Sequence, residues 1–273
     1  MVTEESCTHD CESCGESCDS RIEKVKPNAK SVVKKVIGVI SGKGGVGKSL
    51  VASLLAASLN TGGVRVGILD ADITGPSIPR AFGITEKATS DGTLILPAQS
   101  REGISIISSA MLLENDSDPI IWRGPLISNL VKQFFTDVLW EDIDFMVIDM
   151  PPGTGDIALT IFQSLPIDAI IIVTSPQELV SVIVKKAIEM ANMMHIKILG
   201  IVENMAYVEC PHCKEKIDIY GQGHTAEIAK QYGLKVLAEI PIRADISTAA
   251  DEGKIETIEN DYLDKAVKLI KSI

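Results

Sequence analysis

The sequence predicts an α/β protein, a single doubly wound and mostly parallel sheet with helices on both faces. Three observations carry that expectation. Short apolar runs such as Phe145-Met146-Val147-Ile148 and Ala169-Ile170-Ile171-Ile172-Val173 show no polar alternation, the pattern of strands buried on both faces. Helix-length stretches separate them, so the chain reads strand, helix, strand. The loops after several strands carry Gly, Pro and Asp, at the strand ends where an open α/β sheet binds its ligands.

Taken in order, residues 1–20 hold almost nothing apolar beyond Met1 and Val2 and are rich in Glu, Asp, Ser and Cys. Such a stretch cannot bury enough surface to order itself unless a bound metal folds it, so a Cys-rich metal-binding extension is expected. Residues 21–32 read as a linker and residues 33–273 as one domain. Within that domain, strands are expected near 34–41, 64–70, 145–149, 169–173, 197–203 and 235–240. Helices are expected near 48–60, near 125–139, from Asp156 to about 165, and near 177–194, 223–232 and 258–272. Pro125 suits the first turn of its helix, where the missing N–H has no partner to lose. Thr93-Leu94-Ile95-Leu96 and Ile104-Ser105-Ile106-Ile107, separated by turn residues, read as a hairpin.

At 273 residues and 45% hydrophobic composition the chain has ample material for one large core. No apolar run approaches the ~18–20 residues of a membrane-spanning helix. The N-terminus carries Glu4, Glu5 and four cysteines in place of a basic and then apolar leader. A cytoplasmic protein with no stable membrane association is therefore expected. A net charge of −11 argues against a broad electrostatic grip on nucleic acid, which rests on many Lys/Arg–phosphate contacts. The local cluster of Arg21, Lys24, Lys26, Lys30, Lys34 and Lys35 reads as a solvated linker.

Chemistry begins after the first strand. Gly42-Lys43-Gly44-Gly45-Val46-Gly47-Lys48-Ser49 fits the phosphate-loop pattern G-x-x-x-x-G-K-[ST], between an apolar strand and a helix, as that motif requires. The glycines let successive backbone N–H groups turn inward as an anion nest. The helix behind them contributes unpaired donors and the positive end of its dipole. Lys48 adds a point charge for the β- and γ-phosphates, and the Ser49 hydroxyl is placed to hold Mg²⁺. Asp149, directly after an aliphatic strand, follows the second common pattern of such sites, a carboxylate turned toward Mg²⁺.

Lys43 is a second lysine that the phosphates of its own chain do not require. The pattern K-G-G-x-G-K-[ST] resembles the deviant loop of the ATPases that include the division-site protein MinD, the partition ATPases, the nitrogenase iron protein and the Mrp/ApbC iron–sulfur carriers. In that group the extra lysine reaches across a homodimer to the partner's nucleotide. The resemblance implies that Lys43 is a charge clamp supplied in trans, comparable in logic to an arginine finger, and that ATP is the nucleotide.

Further segments extend the resemblance over residues 33–273. Asp70-Ala71-Asp72-Ile73-Thr74-Gly75-Pro76-Ser77 resembles the switch I segment of the Mrp/ApbC family, which implies that Asp72 orients the attacking water and Asp70 stands nearer the Mg²⁺ shell. Asp149-Met150-Pro151-Pro152-Gly153-Thr154-Gly155-Asp156 resembles its switch II, which implies that the Gly153 amide senses the γ-phosphate as the loop moves. Asn204 matches the asparagine that reads the adenine edge, and Pro241 a residue lining the base. An Asp that caps the next helix, or an Asn that only makes a turn, is the plainer alternative for such positions.

Six cysteines without a secretory context point to metal or redox chemistry more than to disulfides. Cys210 and Cys213 offer two thiolates, whereas a cysteine-held cluster or zinc ion needs about four ligands. Two chains related by a two-fold axis close such a set. In the Mrp/ApbC carriers the corresponding segment, here Val202 to Cys213, carries a labile bridging 4Fe–4S cluster, and this is what the resemblance implies. A thioredoxin-type pair belongs at the start of a helix after the first strand, which is not where this pair lies; bridging zinc stays open. Cys7, Cys11, Cys14 and Cys18 supply four ligands from a single chain. Their spacing is close to ferredoxin-like runs and suits a second cluster, with zinc as the alternative. They resemble the N-terminal extension of the scaffold branch of the family, although that branch has wider spacings.

Together these features lead to the expectation of an ATP-binding and hydrolysing homodimer that holds an iron–sulfur cluster and delivers it to apoproteins, with slow, switch-type turnover. Two rivals come from other classes. A MinD-like positioning ATPase would insert its terminal helix into a membrane, and Tyr262, Leu263, Ala266, Val267, Ile270 and Ile273 do form an apolar face opposite Lys265, Lys268 and Lys271. Such stripes are more often core. An electron-donating reductase would place cluster cysteines soon after its switch loops, but none follows Asp149 before Cys210.

Overall fold

In the computed structural model, residues 24–73, 75–112, 124–221 and 223–273 are described. Cys7, Cys11, Cys14 and Cys18, and with them the expected metal-binding extension, lie outside the described residues. An eight-stranded sheet organises the rest.

The strands are β1 (Val32–Ser41), β2 (Val66–Asp70), β3 (Thr89–Ser90), β4 (Ile95–Leu96), β5 (Ala98–Gln99), β6 (Ser105–Ser108), β7 (Asp142–Asp149), β8 (Ala169–Thr174), β9 (Lys197–Asn204), β10 (Val208–Glu209), β11 (Lys216–Ile217) and β12 (Val236–Ile240). The α-helices are α1 (Lys48–Leu59), α2 (Ile78–Ala81), α3 (Gly124–Thr136), α4 (Asp156–Ser164), α5 (Glu178–Met193), α6 (Thr225–Gln231), α7 (Ala244–Asp251) and α8 (Asp264–Ile270).

The sheet runs in the order β12-β9-β8-β1-β7-β2-β6-β5. Every ladder in it is parallel except β5 against β6. From β1 the chain moves out to β2 and β6, returns to insert β7 between β1 and β2, then crosses to β8, β9 and β12. That reversal around β1 makes a topological switch point, and the strand ends Ser41, Asp70, Ser108, Asp149, Thr174 and Asn204 share one edge above it.

The uninterrupted apolar strands are buried on both faces, as their patterns require. On one face Ile127, Val131 and Phe134 of α3, Phe162 of α4 and Ala187 of α5 cover the sheet. On the other, Val51 and Leu55 of α1, Ile246 of α7 and Ala266 and Ile270 of α8 do so. The terminal apolar stripe is therefore spent inward, with Leu263, Ala266 and Ile270 fully buried. Among the described residues no helix is long and apolar enough to cross a membrane.

Three local expectations differ. The expected hairpin of 93–96 with 104–107 does not form: β4 pairs with β3, whereas β6 joins the main sheet beside β2 and takes β5 as its antiparallel neighbour. Local turn signals do not encode which distant strand wins the pairing. Helix α7 was not foreseen, because Ala244–Asp251 carries a weak apolar pattern. The terminal helix is confined to Asp264–Ile270, preceded by a 3-10 turn at Ile255–Thr257.

Residues just before β1 are anchored. The Val25 amide donates to the Ser164 carbonyl at 2.8 Å, and Asn28 Nδ2 donates to the Val138 carbonyl at 2.7 Å. Three lysines of the basic cluster meet aspartates: Lys30 with Asp91 at 3.9 Å, Lys34 with Asp144 at 2.6 Å and Lys35 with Asp168 at 3.2 Å.

Candidate functional site

The phosphate loop spans from the end of β1 to the start of α1. Gly47 stands at the N-cap of α1 with φ +79°, a left-handed conformation natural to glycine, and no side chain caps the helix. The first-turn N–H groups of α1 thus keep no capping partner and face the loop, which suits an anion. Gly45 is also left-handed at φ +82°, and a Cβ on either Gly44 or Gly45 would point into open space. Those are positions where a bound phosphate can approach the backbone.

Beneath the loop lie the carboxylates. Asp70 and Asp149 are register partners across β2 and β7, and both are completely buried. Lys48, only 5% exposed, places Nζ 2.6 Å from Asp149 Oδ1 and 3.4 Å from Asp72 Oδ2. The Ser49 hydroxyl donates to Asp149 Oδ2 at 2.5 Å. Burial pushes the Asp149 carboxyl upward, with the Lys48 ammonium opposing it. Burial and the neighbouring Asp149 charge push Asp70 up to about 8. Lys48 meets the carboxyl groups of Asp149 and Asp72 with Asp70 beside them, so apart from this ammonium the donors here are all oxygens. That chemistry fits a hard divalent cation such as Mg²⁺, with Ser49 and Asp149 as the residues to hold it.

The other expected residues surround this centre. Gly153, at φ +85°, donates its amide to the Ser41 carbonyl at 2.9 Å, which tethers the 150–155 loop to the base of the phosphate loop. Lys43 Nζ donates to Gln177 Oε1 at 2.8 Å within its own chain. Asn204 is buried, and its Nδ2 donates to the Val46 carbonyl at 2.9 Å. Its amide also occupies the space a Cβ on Gly47 would need, at 2.1 Å. Pro241 is buried immediately after β12.

Cys210 and Cys213 sit away from the carboxylates, on the turn between β10 and β11. The Cys210 amide donates to the Glu215 carbonyl at 2.9 Å, and the Lys214 amide returns to the Cys210 carbonyl at 2.9 Å. Cys210 is half-buried and Cys213 exposed. Backbone N–H groups of Cys213 and His212 hold the Cys210 thiol below its ordinary range, which favours the thiolate a metal takes. Among the described residues no group of three or more His, Cys, Asp or Glu is arranged to hold a metal ion. The described residues therefore present two thiols on this turn and no third ligand beside them.

A ribbon joins the two regions. Five residues separate Asn204 from Cys210. On the way the Ala206 amide donates to the Ile240 carbonyl at 2.9 Å, and the Tyr207 carbonyl accepts from the Ile242 amide at 2.8 Å. Lys216 Nζ lies 4.0 Å from the centroid of the Tyr207 ring and secures the hairpin at its root. Sequence reasoning missed Ser108 and Gln177, which touch Asp70 and Lys43. Neither belongs to a motif, and only the strand order reveals them.

The chain is similar to known proteins over this whole region. Residues 32–273 match the family model ParA, described as NUBPL iron-transfer P-loop NTPase. An iron–sulfur cluster carrier protein of Clostridium perfringens is 47% identical over 232 residues, covering 82% of this chain and 81% of its own. One of Methanocaldococcus jannaschii is 45% identical, covering 84% and 80%. Among solved structures, a nucleotide-binding protein of Archaeoglobus fulgidus in complex with ADP superposes with TM-score 0.76 at 41% identity, covering 84% of this chain and 90% of that one. The cell division ATPase MinD of Pyrococcus furiosus shares the fold, with TM-score 0.59 at 21% identity over 87% of this chain and 97% of that one.

Proposed function

The chain belongs to the NUBPL iron-transfer P-loop NTPases of the ParA group, and from that premise we propose that it is a homodimeric, ATP-hydrolysing carrier that takes an iron–sulfur cluster as cargo and passes it to apoproteins. The observation that carries this reading is the half-set of thiols. Cys210 and Cys213 sit together on one turn with no third ligand among the described residues, which supports a four-sulfur site completed by the same pair of a second chain.

In this reading Gly42, Gly44, Gly45, Val46 and Gly47 supply the backbone cradle, and Lys48 leaves Asp149 for the phosphates when ATP binds. Ser49 and Asp149, with Asp70 in the surrounding shell, would hold Mg²⁺, which would supply charge neutralisation at the phosphates. Asp72 orients water, and Lys43 leaves Gln177 for the partner's nucleotide. The Gly153 amide must exchange the Ser41 carbonyl for a phosphate oxygen, which requires its loop to move. Asn204 and Pro241 border the base. Because Asn204 begins the ribbon that ends in the cysteine turn, and Ile240 and Ile242 on either side of Pro241 bond to it, a change at the nucleotide has a short route to the cargo. Turnover is slow, near or below ~1 s⁻¹, the low end of ordinary enzymes, since a switch must dwell in each state.

Cys7, Cys11, Cys14 and Cys18, within residues 1–20 and outside the described residues, hold a second cluster or zinc, and residues 33–273 are the ATPase domain. The protein works in the cytoplasm. Anaerobic reconstitution followed by iron and sulfide analysis tests the central claim, comparing the parent with the Cys210→Ala/Cys213→Ala double variant. The parent should hold about four more irons per dimer than the variant and should restore an apo-ferredoxin. Equal iron in the two proteins overturns the reading.

A further inference from the structure

The geometry points to Ser108 as a positioning residue for nucleotide hydrolysis: through the buried Asp70 carboxyl group it holds the backbone of Asp72, whose side chain meets Lys48 of the phosphate loop. This inference rests on the ATPase part of the proposed function, and no sequence motif includes Ser108.

Ser108, Asp70 and Asp149 stand side by side at the carboxyl ends of β6, β2 and β7, because Asp70 is the register partner of Ser108 on one side and of Asp149 on the other. All three are completely buried. The Ser108 hydroxyl donates to Asp70 Oδ2 at 2.9 Å and accepts the Ala110 amide at 3.4 Å, which fixes the direction in which its proton points. The other Asp70 oxygen, Oδ1, accepts the Asp72 backbone N–H at 3.1 Å. Both oxygens of Asp70 are thus engaged by donors of this chain. Asp70 works as a two-sided brace, with Ser108 behind it and the Asp72 backbone in front.

Asp72 is where the brace matters. Its carboxylate lies 3.4 Å from Lys48 Nζ, and its peptide opens the loop that leads to α2. Without the Ser108 hydroxyl, Asp70 Oδ2 is left unpaired in a dry site beside Asp149. The carboxyl then turns toward another donor, and the Lys48 ammonium is the nearest cation in the cluster. Either movement releases the Asp72 amide. Residues one shell removed from a reacting centre lower activity about 10–100-fold when removed. Because Ser108 touches no part of the nucleotide path itself, the loss belongs in kcat and not in KM.

The experiment compares Ser108→Ala, Ser108→Thr and, as a control on the same strand, Ser105→Ala. ATP turnover is measured with saturating Mg²⁺, and amide hydrogen exchange is followed in nucleotide-free protein. Ser108→Ala should lose about tenfold or more in kcat with KM for ATP within about threefold. It should also exchange faster at the Asp72 amide, while β1, β7 and β8 keep their protection. Ser108→Thr retains the hydroxyl and should recover both readouts; Ser105→Ala should change neither. Full kcat in Ser108→Ala, a loss confined to KM, or an equal loss in Ser105→Ala overturns the proposal. Should the parent hydrolyse no ATP, that result counts against the ATPase reading, and the Asp72 exchange comparison alone decides the role of Ser108.

Discussion

Asn204 donates its side-chain amide to the Val46 carbonyl at 2.9 Å, so the strand that leads to the cysteine turn touches the phosphate loop directly. The contact is intimate enough that Gly47 has no room for a side chain there. A residue that the family resemblance casts as reading the base is thus also a bolt between the phosphate loop and the strand that leads to the cysteine turn.

Replacing that bolt should uncouple them. Asn204→Ala should weaken ADP binding by about tenfold, the worth of roughly one net hydrogen bond. At saturating nucleotide the variant should still bind its cluster, but ATP should no longer alter the rate at which a chelator removes the iron. Calorimetry and absorbance stopped-flow check the two halves. An ATP effect on iron release that survives in Asn204→Ala rules out this contact as the route.

Lys43 offers a test of assembly. In the single chain its ammonium is held by Gln177 at 2.8 Å, away from its own carboxylate cluster. Lys43→Ala and Lys48→Ala homodimers should each hydrolyse ATP at least about 1,000-fold more slowly than the parent, within the range known for charge clamps supplied to phosphoryl transfer. Mixing the two variants should restore turnover, since the Lys43→Ala subunit keeps its own Lys48 and borrows Lys43 from its partner. No recovery on mixing, with mixed dimers present, means that Lys43 acts within its own chain.

The buried Asp70 carboxyl predicts a pH dependence of stability. Its ordinary value is 3.8, and burial beside Asp149 pushes it up to about 8. Between those values the folded protein keeps a proton that the unfolded chain has released. Folded stability therefore falls as pH rises through the window, by at most about 1.4 kcal/mol per pH unit from this one group. Urea denaturation of nucleotide-free, metal-free protein at pH 5 and pH 8 should show a steeper fall in the parent than in Asp70→Asn. Taking the difference removes carboxylates of opposite sign, such as Asp144, whose backbone hydrogen bond from Arg65 and ion pair with Lys34 hold it below its usual range. Identical pH dependence in both proteins would show that Asp70 is not the titrating group.

Much of the molecule is legible without coordinates, and for identifiable reasons. The strand Ala169–Thr174 must be doubly buried because it has no polar face to show water. The loop from Gly42 to Ser49 must turn tightly, since Gly45 and Gly47 adopt the left-handed backbone that other residues resist. The terminal stripe at Leu263, Ala266 and Ile270 has a helical period, although whether it meets a membrane or a core is not written in that period. The hairpin expected between 93–96 and 104–107 failed for a related reason: turn residues announce a reversal, but they do not say what the next strand will pair with.

By itself the amino-acid order determined the strand-and-helix alternation, the anion-binding loop and a pair of thiols too few to close a site alone. All of these are local properties, set by side-chain type and spacing within a few residues. The tertiary structure alone decided that Ser108 stands behind Asp70, that Gln177 holds Lys43, and that Asn204 reaches Val46. Those meetings join residues 38, 134 and 158 positions apart. They depend on the register of parallel strands joined by long crossovers, and that register is chosen by packing of the whole core.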